Sequence, residues 1–100
     1  MNIEPGSDPL AVLRRLHTQL RLLTPAVTLA PDTPEVTTML AGLAETAAAA
    51  TTLLSAVEPG TLTVLRRAFA CARAHQHNET ASELVTAHGR ISALLRGEPH

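Results

Sequence analysis

Histidine and cysteine side chains are the residues of this 100-residue chain best suited to hold a metal ion. Cys71 and His75 lie four residues apart, which places them on one face of a helix, and His88 follows later in the chain. His17 is the fourth candidate. The spacings Cys-x-x-Cys and His-Glu-x-x-His, typical of zinc sites, do not occur. We therefore expect these side chains to serve the fold, with neither metal nor cofactor bound. A metal, haem or small hydrophobic molecule held between helices is the alternative.

His17 and His88 each lie within a row of apolar residues at helical spacing. Leu13 and Leu20 accompany His17, and Ile91 follows His88. Both histidines are therefore expected to point inward, where the two side chains can meet. Protonation of such a pair would loosen the fold below about pH 6.

The sequence contains no recognisable catalytic motif. It has no glycine-rich phosphate loop, no nucleophile elbow and no pair of carboxylates at catalytic spacing. The acidic residues are scattered and mostly stand where helices begin, which capping explains. The chain is therefore predicted not to be an enzyme.

The charge balance argues against a general nucleic-acid binder. Eight arginines and nine acidic residues give a net charge of −1, whereas such binders carry a large positive excess. A regulator that contacts DNA or a transcription factor through Arg66, Arg67 and Arg73 is a second alternative.

Composition predicts an all-α fold. Hydrophobic residues make up 45% of the chain with a single aromatic, Phe69, and Leu, Ala and Arg are strong helix formers. We predict one domain, a small up-down bundle of three to four helices with a long central helix rich in Ala, Leu and Thr. The helices are expected at about 9–23, 34–57, 61–76 and 80–96, between a disordered tail at 1–8 and a tail at 97–100. Residues 61–96 could instead form one long kinked helix.

Local signals set these boundaries. Pro9 and Pro34 each follow a good helix N-cap, Asp8 and Thr33. Pro25 is expected to end the first helix, because the residue before a proline avoids α geometry. The other signals are a terminator at 58–60, the capping-box spacing of Thr80 and Glu83, and a stop at Gly97.

The predicted helix 34–57 carries the strongest pattern. One stripe at steps of four and three residues is expected to face the core: Val36, Leu40, Leu43, Ala47, Ala50, Leu54 and Val57. Glu45 is the single charge between residues 36 and 57. Large uncharged surfaces are often interfaces, so we predict a contact surface off the stripe at Ala44, Ala48, Thr51 and Thr52. The chain is thus expected to be a non-enzymatic interaction or accessory protein that forms a homodimer.

The same segment has the length of a membrane span, but its five threonines and Glu45 argue against one. The first residues lack the basic and apolar regions of a signal peptide. The single cysteine, Cys71, cannot form an internal disulfide. We therefore expect a cytoplasmic protein, and arginine without lysine is typical of a high-GC bacterium.

The run from Leu13 to Val27, LRRLHTQLRLLTPAV, combines an arginine-rich helix, a histidine and a Leu-Leu-x-Pro-x-Val ending. An alanine-rich helix follows, and then one rich in Ala and Arg at Leu65–His75. Over residues 13–77 this order resembles a family of small streptomycete helical proteins labelled as natural-product biosynthesis proteins of undefined activity. The resemblance implies an all-helical fold and no catalytic residue.

Overall fold

The computed structural model describes residues 9–97, which form five helices and contain no β-strand. In chain order these are α1 (Pro9–Leu29), α2 (Pro34–Ala49), α3 (Thr51–Val57), α4 (Pro59–Arg73) and α5 (His77–Arg96). The all-α prediction is confirmed, but residues 9–97 form five helices rather than three to four. The predicted tail at 1–8, and residues 98–100 of the predicted C-terminal tail, lie outside the described residues.

The helix at the centre of the fold is α5, not the predicted helix 34–57. It packs against both α1 and α4, whereas α2 packs mainly against α1, and α3 packs against α4. The reason is side-chain size. Leu84 and Ile91 of α5 and Leu16 and Leu20 of α1 are completely buried, and larger side chains bury more apolar area than the alanines of α2.

The helices α1 and α5 run in opposite directions. His17 Nε2 lies 2.9 Å from Ser92 Oγ near the end of α5, while Asp32 Oδ1, just beyond α1, lies 3.4 Å from His77 Nε2 at the start of α5. The connection between α1 and α2 and the connection between α4 and α5 therefore meet at one end of the bundle.

Pro25 lies inside α1 and does not end it, so the predicted boundary at residue 23 is wrong. Proline costs the helix one backbone hydrogen bond. The hydroxyl of Thr24 donates to the Leu20 carbonyl oxygen at 2.8 Å. The continued helix buries Val27 to 2% exposure, so packing at the end of α1 outweighs the local signal.

The predicted helix 34–57 is divided at Ala50, and its two parts, α2 and α3, meet at an angle of 62°. The Ala50 backbone departs from helical geometry, with ψ at −1°. Thr46 Oγ1 donates to the Gly42 carbonyl oxygen and Thr51 Oγ1 to that of Ala47, both at 3.1 Å, and such bonds favour bending. The bend lets both parts keep their apolar faces on the bundle.

The segment 61–96 forms two helices, α4 and α5, separated by residues 74–76. The predicted terminator acts at Glu58, where α3 and α4 meet, so α4 begins at Pro59 rather than 61. The predicted capping box is wrong: α5 begins at His77, and the hydroxyl of buried Thr80 donates to the Gln76 carbonyl oxygen at 2.8 Å. Gly97 follows α5 in left-handed geometry, which confirms the predicted stop.

Among residues 9–97, no single helix is long and apolar enough to cross a membrane. Only α2 and α3 taken together meet that criterion, and the bend separates them.

Candidate functional site

The surface predicted as an interface lies partly on the face of α2 that points away from the bundle, at Ala44 and Ala48, and partly on α3, at Thr51 and Thr52. Ala44, Ala48 and Thr52 are exposed, while Thr51 is half-buried. The stripe at steps of four and three lies on the opposite side: its members are buried or half-buried, except Val57, which is 48% exposed. The structure therefore separates the core face of α2 from its open face as the spacing predicts.

The open face of α2 is small-sided and almost uncharged. Ala41, Ala44 and Ala48 form an exposed row at steps of three and four residues, and Glu45 lies beside them. Thr38 Oγ1 donates to the Pro34 carbonyl oxygen at 3.1 Å. The donor of this hydroxyl is therefore satisfied within its own helix.

Charge is segregated to the other helices. All eight arginines lie on α1, α4 or α5, and none lies on α2 or α3. The side chains of the second alternative, a contact with DNA or a transcription factor, are exposed on α4: Arg66, Arg67 and Arg73. Arg73 stands in the last turn of α4, where the helix dipole favours a cation.

His17 and His88 meet between α1 and α5, as their positions in the two apolar rows predict. Their rings stack with centroids 4.3 Å apart and planes at 27°. His17 Nε2 and Ser92 Oγ form a hydrogen bond of 2.9 Å. His88 Nε2 is buried, and no residue in the range 9–97 forms a hydrogen bond with it.

The surroundings of His88 favour its neutral form. Burial lowers the pKa of His88, and the positive charges of His17 and Arg21 lower it further. Uncharged, the imidazole can stack on His17 without repulsion. This pair lines the contact between α1 and α5, so we interpret it as part of the packing.

A different group of side chains meets at the end of the bundle, where the two connections lie. Asp32 precedes α2, His75 lies in the turn after α4, and His77 is the first residue of α5. One ligand atom of each lies within 4.8 Å of the others. His77 Nε2 is 3.4 Å from Asp32 Oδ1, and the rings of His75 and His77 are nearly perpendicular with centroids 6.0 Å apart.

This group corrects the metal-ligand set considered from the sequence. Within residues 9–97, Cys71 and His88 do not join His75 in a group that could hold an ion. Cys71 is a half-buried free thiol on α4, whereas His75 lies beyond the end of that helix, so their four-residue spacing does not place them on one helical face. The spacing argument missed Asp32 and His77, which approach each other only through the tertiary fold.

A cleft of about 170 Å³ opens beside this group. Asp32, His75 and His77 line its polar part, and Val27, Val36 and Leu40 are among its apolar lining residues. The same three polar side chains are thus accessible from solvent, and apolar side chains line the rest of the cleft.

The resemblance to streptomycete proteins and the expected cytoplasmic location stay predictions. Comparisons with protein-family models, with curated proteins and with solved structures find no match for this chain.

Proposed function

We propose that this chain is a non-enzymatic interaction protein that pairs with a second copy of itself through the open face of α2. The observation that carries the proposal is the exposed row of Ala41, Ala44 and Ala48 on a helix whose outer side carries almost no charge. Exposed helix faces of soluble proteins normally carry charged residues. The concentration of arginine on α1, α4 and α5 makes the contrast sharper.

Small side chains suit the contact of two identical helices. Two copies of α2 related by a two-fold axis would place the same residues against each other. Methyl groups from alanine and threonine let the backbones approach closely and leave few polar groups to desolvate. The Thr38 hydroxyl donates to its own helix, so its donor stays satisfied when this side chain is buried.

The size of the face predicts a reversible dimer. A helix of 16 residues is about 24 Å long at 1.5 Å per residue. Its outer side covers only a few hundred square ångströms, below the roughly 800 Å² per partner of a standard stable interface. Dissociation on dilution is therefore part of the expectation.

Molar mass across a concentration series, measured by light scattering or sedimentation, tests the proposal. Ala48→Arg introduces a charge into the open face and should shift the protein to monomer with unchanged helical content. Val85→Arg is the matched control, because Val85 is exposed on α5 and the same charge there should leave the dimer intact. Ala47→Arg should unfold the protein, since Ala47 is only 7% exposed.

A wild-type protein that remains monomeric at every concentration contradicts the proposal. So does an Ala48→Arg variant with the same concentration-dependent mass as the wild type.

A further inference from the structure

We propose that Asp32, His75 and His77 bind a divalent transition-metal ion of the Zn²⁺ class, which joins the two connections at one end of the bundle. The site is separate from the open face of α2 and does not depend on self-association. Its three residues come from three places along the chain: before α2, after α4 and at the start of α5.

The distances suit a tetrahedral ion. With Zn–N and Zn–O bonds of about 2.0–2.1 Å, two ligand atoms of a tetrahedral site lie about 3.3 Å apart. His77 Nε2 and Asp32 Oδ1 are 3.4 Å apart, so one edge of the tetrahedron already has the required length.

His75 completes the set with a small movement. Its ligand atom lies within 4.8 Å of the other two, so its exposed side chain needs to rotate inward by no more than about 1.5 Å to reach the tetrahedral spacing. Two imidazoles bound to one zinc have ring centroids about 5 Å apart, and those of His75 and His77 are at 6.0 Å. The nearly perpendicular planes keep the two rings from blocking each other.

The donor set selects the class of ion. Two imidazole nitrogens and one carboxylate suit Zn²⁺, Cu²⁺ or Ni²⁺ and are poor ligands for Mg²⁺ or Ca²⁺, which prefer oxygen. Three protein ligands leave the fourth position of a tetrahedral ion to solvent, and the exposure of Asp32 and His75 gives it access.

The backbone conformation of His75 also distinguishes this turn, apart from the distances between the ligand atoms. After α4 the chain forms a Schellman turn: the N–H of Gln76 donates to the Cys71 carbonyl oxygen at 2.9 Å, and that of His75 to Ala72 at 3.1 Å. His75 occupies the position that usually holds glycine, and its φ of 57° is left-handed. A side chain at this position works against the stability of the turn. It also places an imidazole next to His77 and Asp32, which glycine would not.

A bound ion would cross-link the connection between α1 and α2 to the connection between α4 and α5. It would fix the end of α1 and the start of α2 to the turn between α4 and α5. Since an ion that binds only the folded state shifts the folding equilibrium, Zn²⁺ at a free concentration of a hundred times its Kd should raise the Tm by about 10–20 °C.

The test uses untagged, metal-stripped full-length protein and Zn²⁺, with calorimetric titration and thermal unfolding. We expect one Zn²⁺ per chain and a rise in Tm. His77→Ala and Asp32→Asn should each weaken Zn²⁺ binding at least about 100-fold, because the first removes an imidazole nitrogen and the second replaces an anionic carboxylate by a neutral amide. Glu35→Gln is the matched control for Asp32→Asn: Glu35 is an exposed carboxylate three residues away and outside the ligand group, and its loss should leave the affinity unchanged.

His75→Gly distinguishes loss of the metal site from loss of the fold. It should bind Zn²⁺ at least about 100-fold more weakly, and it should raise the Tm of the metal-free protein. Cys71→Ser should bind Zn²⁺ as the wild type does, and Co²⁺ should give the absorption of a tetrahedral site without a thiolate charge-transfer band. Failure of the wild type to bind Zn²⁺ at millimolar concentration would overturn the proposal. Undiminished binding by His75→Gly or His77→Ala, or loss of binding in Cys71→Ser, would overturn it equally.

Discussion

Replacement of His88 by phenylalanine should stabilise this protein and reduce the dependence of its stability on pH. The perturbation keeps an aromatic ring against His17, whose centroid lies 4.3 Å away. It removes Nε2 of His88, which is buried without a hydrogen-bond partner among residues 9–97. A buried unsatisfied polar atom costs about 1–3 kcal/mol. Allowing for the larger ring, we expect a gain of about 1 kcal/mol near neutral pH, or about 4–8 °C in Tm for a domain of this size.

The sign of the pH effect follows from the lowered pKa of His88. In the unfolded chain this imidazole has the ordinary value near 6.5, and in the folded protein burial and the charges of His17 and Arg21 lower its pKa. As the pH falls through 6.5, the unfolded state takes up the proton first, so the wild type loses stability. The loss continues until the folded-state pKa is reached. The advantage of His88→Phe should therefore widen as the pH falls.

Thermal unfolding followed by circular dichroism from about pH 5 to pH 7.5 measures both effects. His17→Phe is the contrasting variant. It deletes the hydrogen bond to Ser92 and should lower the Tm, because it leaves a part-buried hydroxyl without that partner. The reasoning is refuted if His88→Phe lowers the Tm at neutral pH, or if its Tm falls as steeply with acidification as that of the wild type.

Four further substitutions, one of them a control, test the packing and the helix ends by chemical unfolding. Leu54→Ala should lower the free energy of unfolding by about 2.7–5 kcal/mol, since Leu54 is fully buried in α3. Val85→Ala is the control: at this exposed site the free energy of unfolding should change by less than about 0.5 kcal/mol. Equal effects of the two substitutions would contradict the observed core. Pro25→Ala should stabilise α1 by about 1–3 kcal/mol, because the helix already passes through this position. A loss of stability would show that the proline itself stabilises the end of α1. Gly97→Ala should cost about 1 kcal/mol, because φ is 73° there.

The elements that the sequence predicts well are those whose signals are local. Thr33 caps α2, with its Oγ1 accepting from the Val36 N–H at 3.3 Å, and Pro34 takes the first helical position as predicted. Gly97 ends α5. The cap, the first position and the end of a helix each depend on the preferences of one or two residues, and tertiary packing at these positions does not oppose them.

The errors lie where tertiary packing opposes or replaces a local signal. Pro25 is a strong helix terminator, yet α1 continues through it because Val27 is buried beyond it. Ala50 is a good helix former, yet the chain bends there. No glycine or proline lies at this bend, and the helices on its two sides each bury a leucine completely, Leu43 in α2 and Leu54 in α3. Neither outcome follows from residue preferences alone.

For the same reason the sequence predicts no metal site and identifies only one member of the candidate site, His75, as a possible ligand. His75 is recognisable as a possible ligand, but its sequence neighbour Cys71 suggests the wrong partner. Asp32 and His77 are 45 residues apart and meet because α1 and α5 run in opposite directions. Two short connections at one end of a bundle are the signal that could have found them, since every polar residue in such connections lies near the others.

The two left-handed helix ends in this chain show why His75 is informative. Both α4 and α5 are followed by a residue with positive φ, 57° at His75 and 73° at Gly97. At Gly97 the residue is the one that this geometry favours, as expected of an end that serves only to stop a helix. At His75 the same geometry holds a side chain whose backbone preference opposes it. The His75 side chain is exposed, so burial does not offset this preference. The proposed ion, bound by His75 together with His77 and Asp32, would account for a histidine at this position.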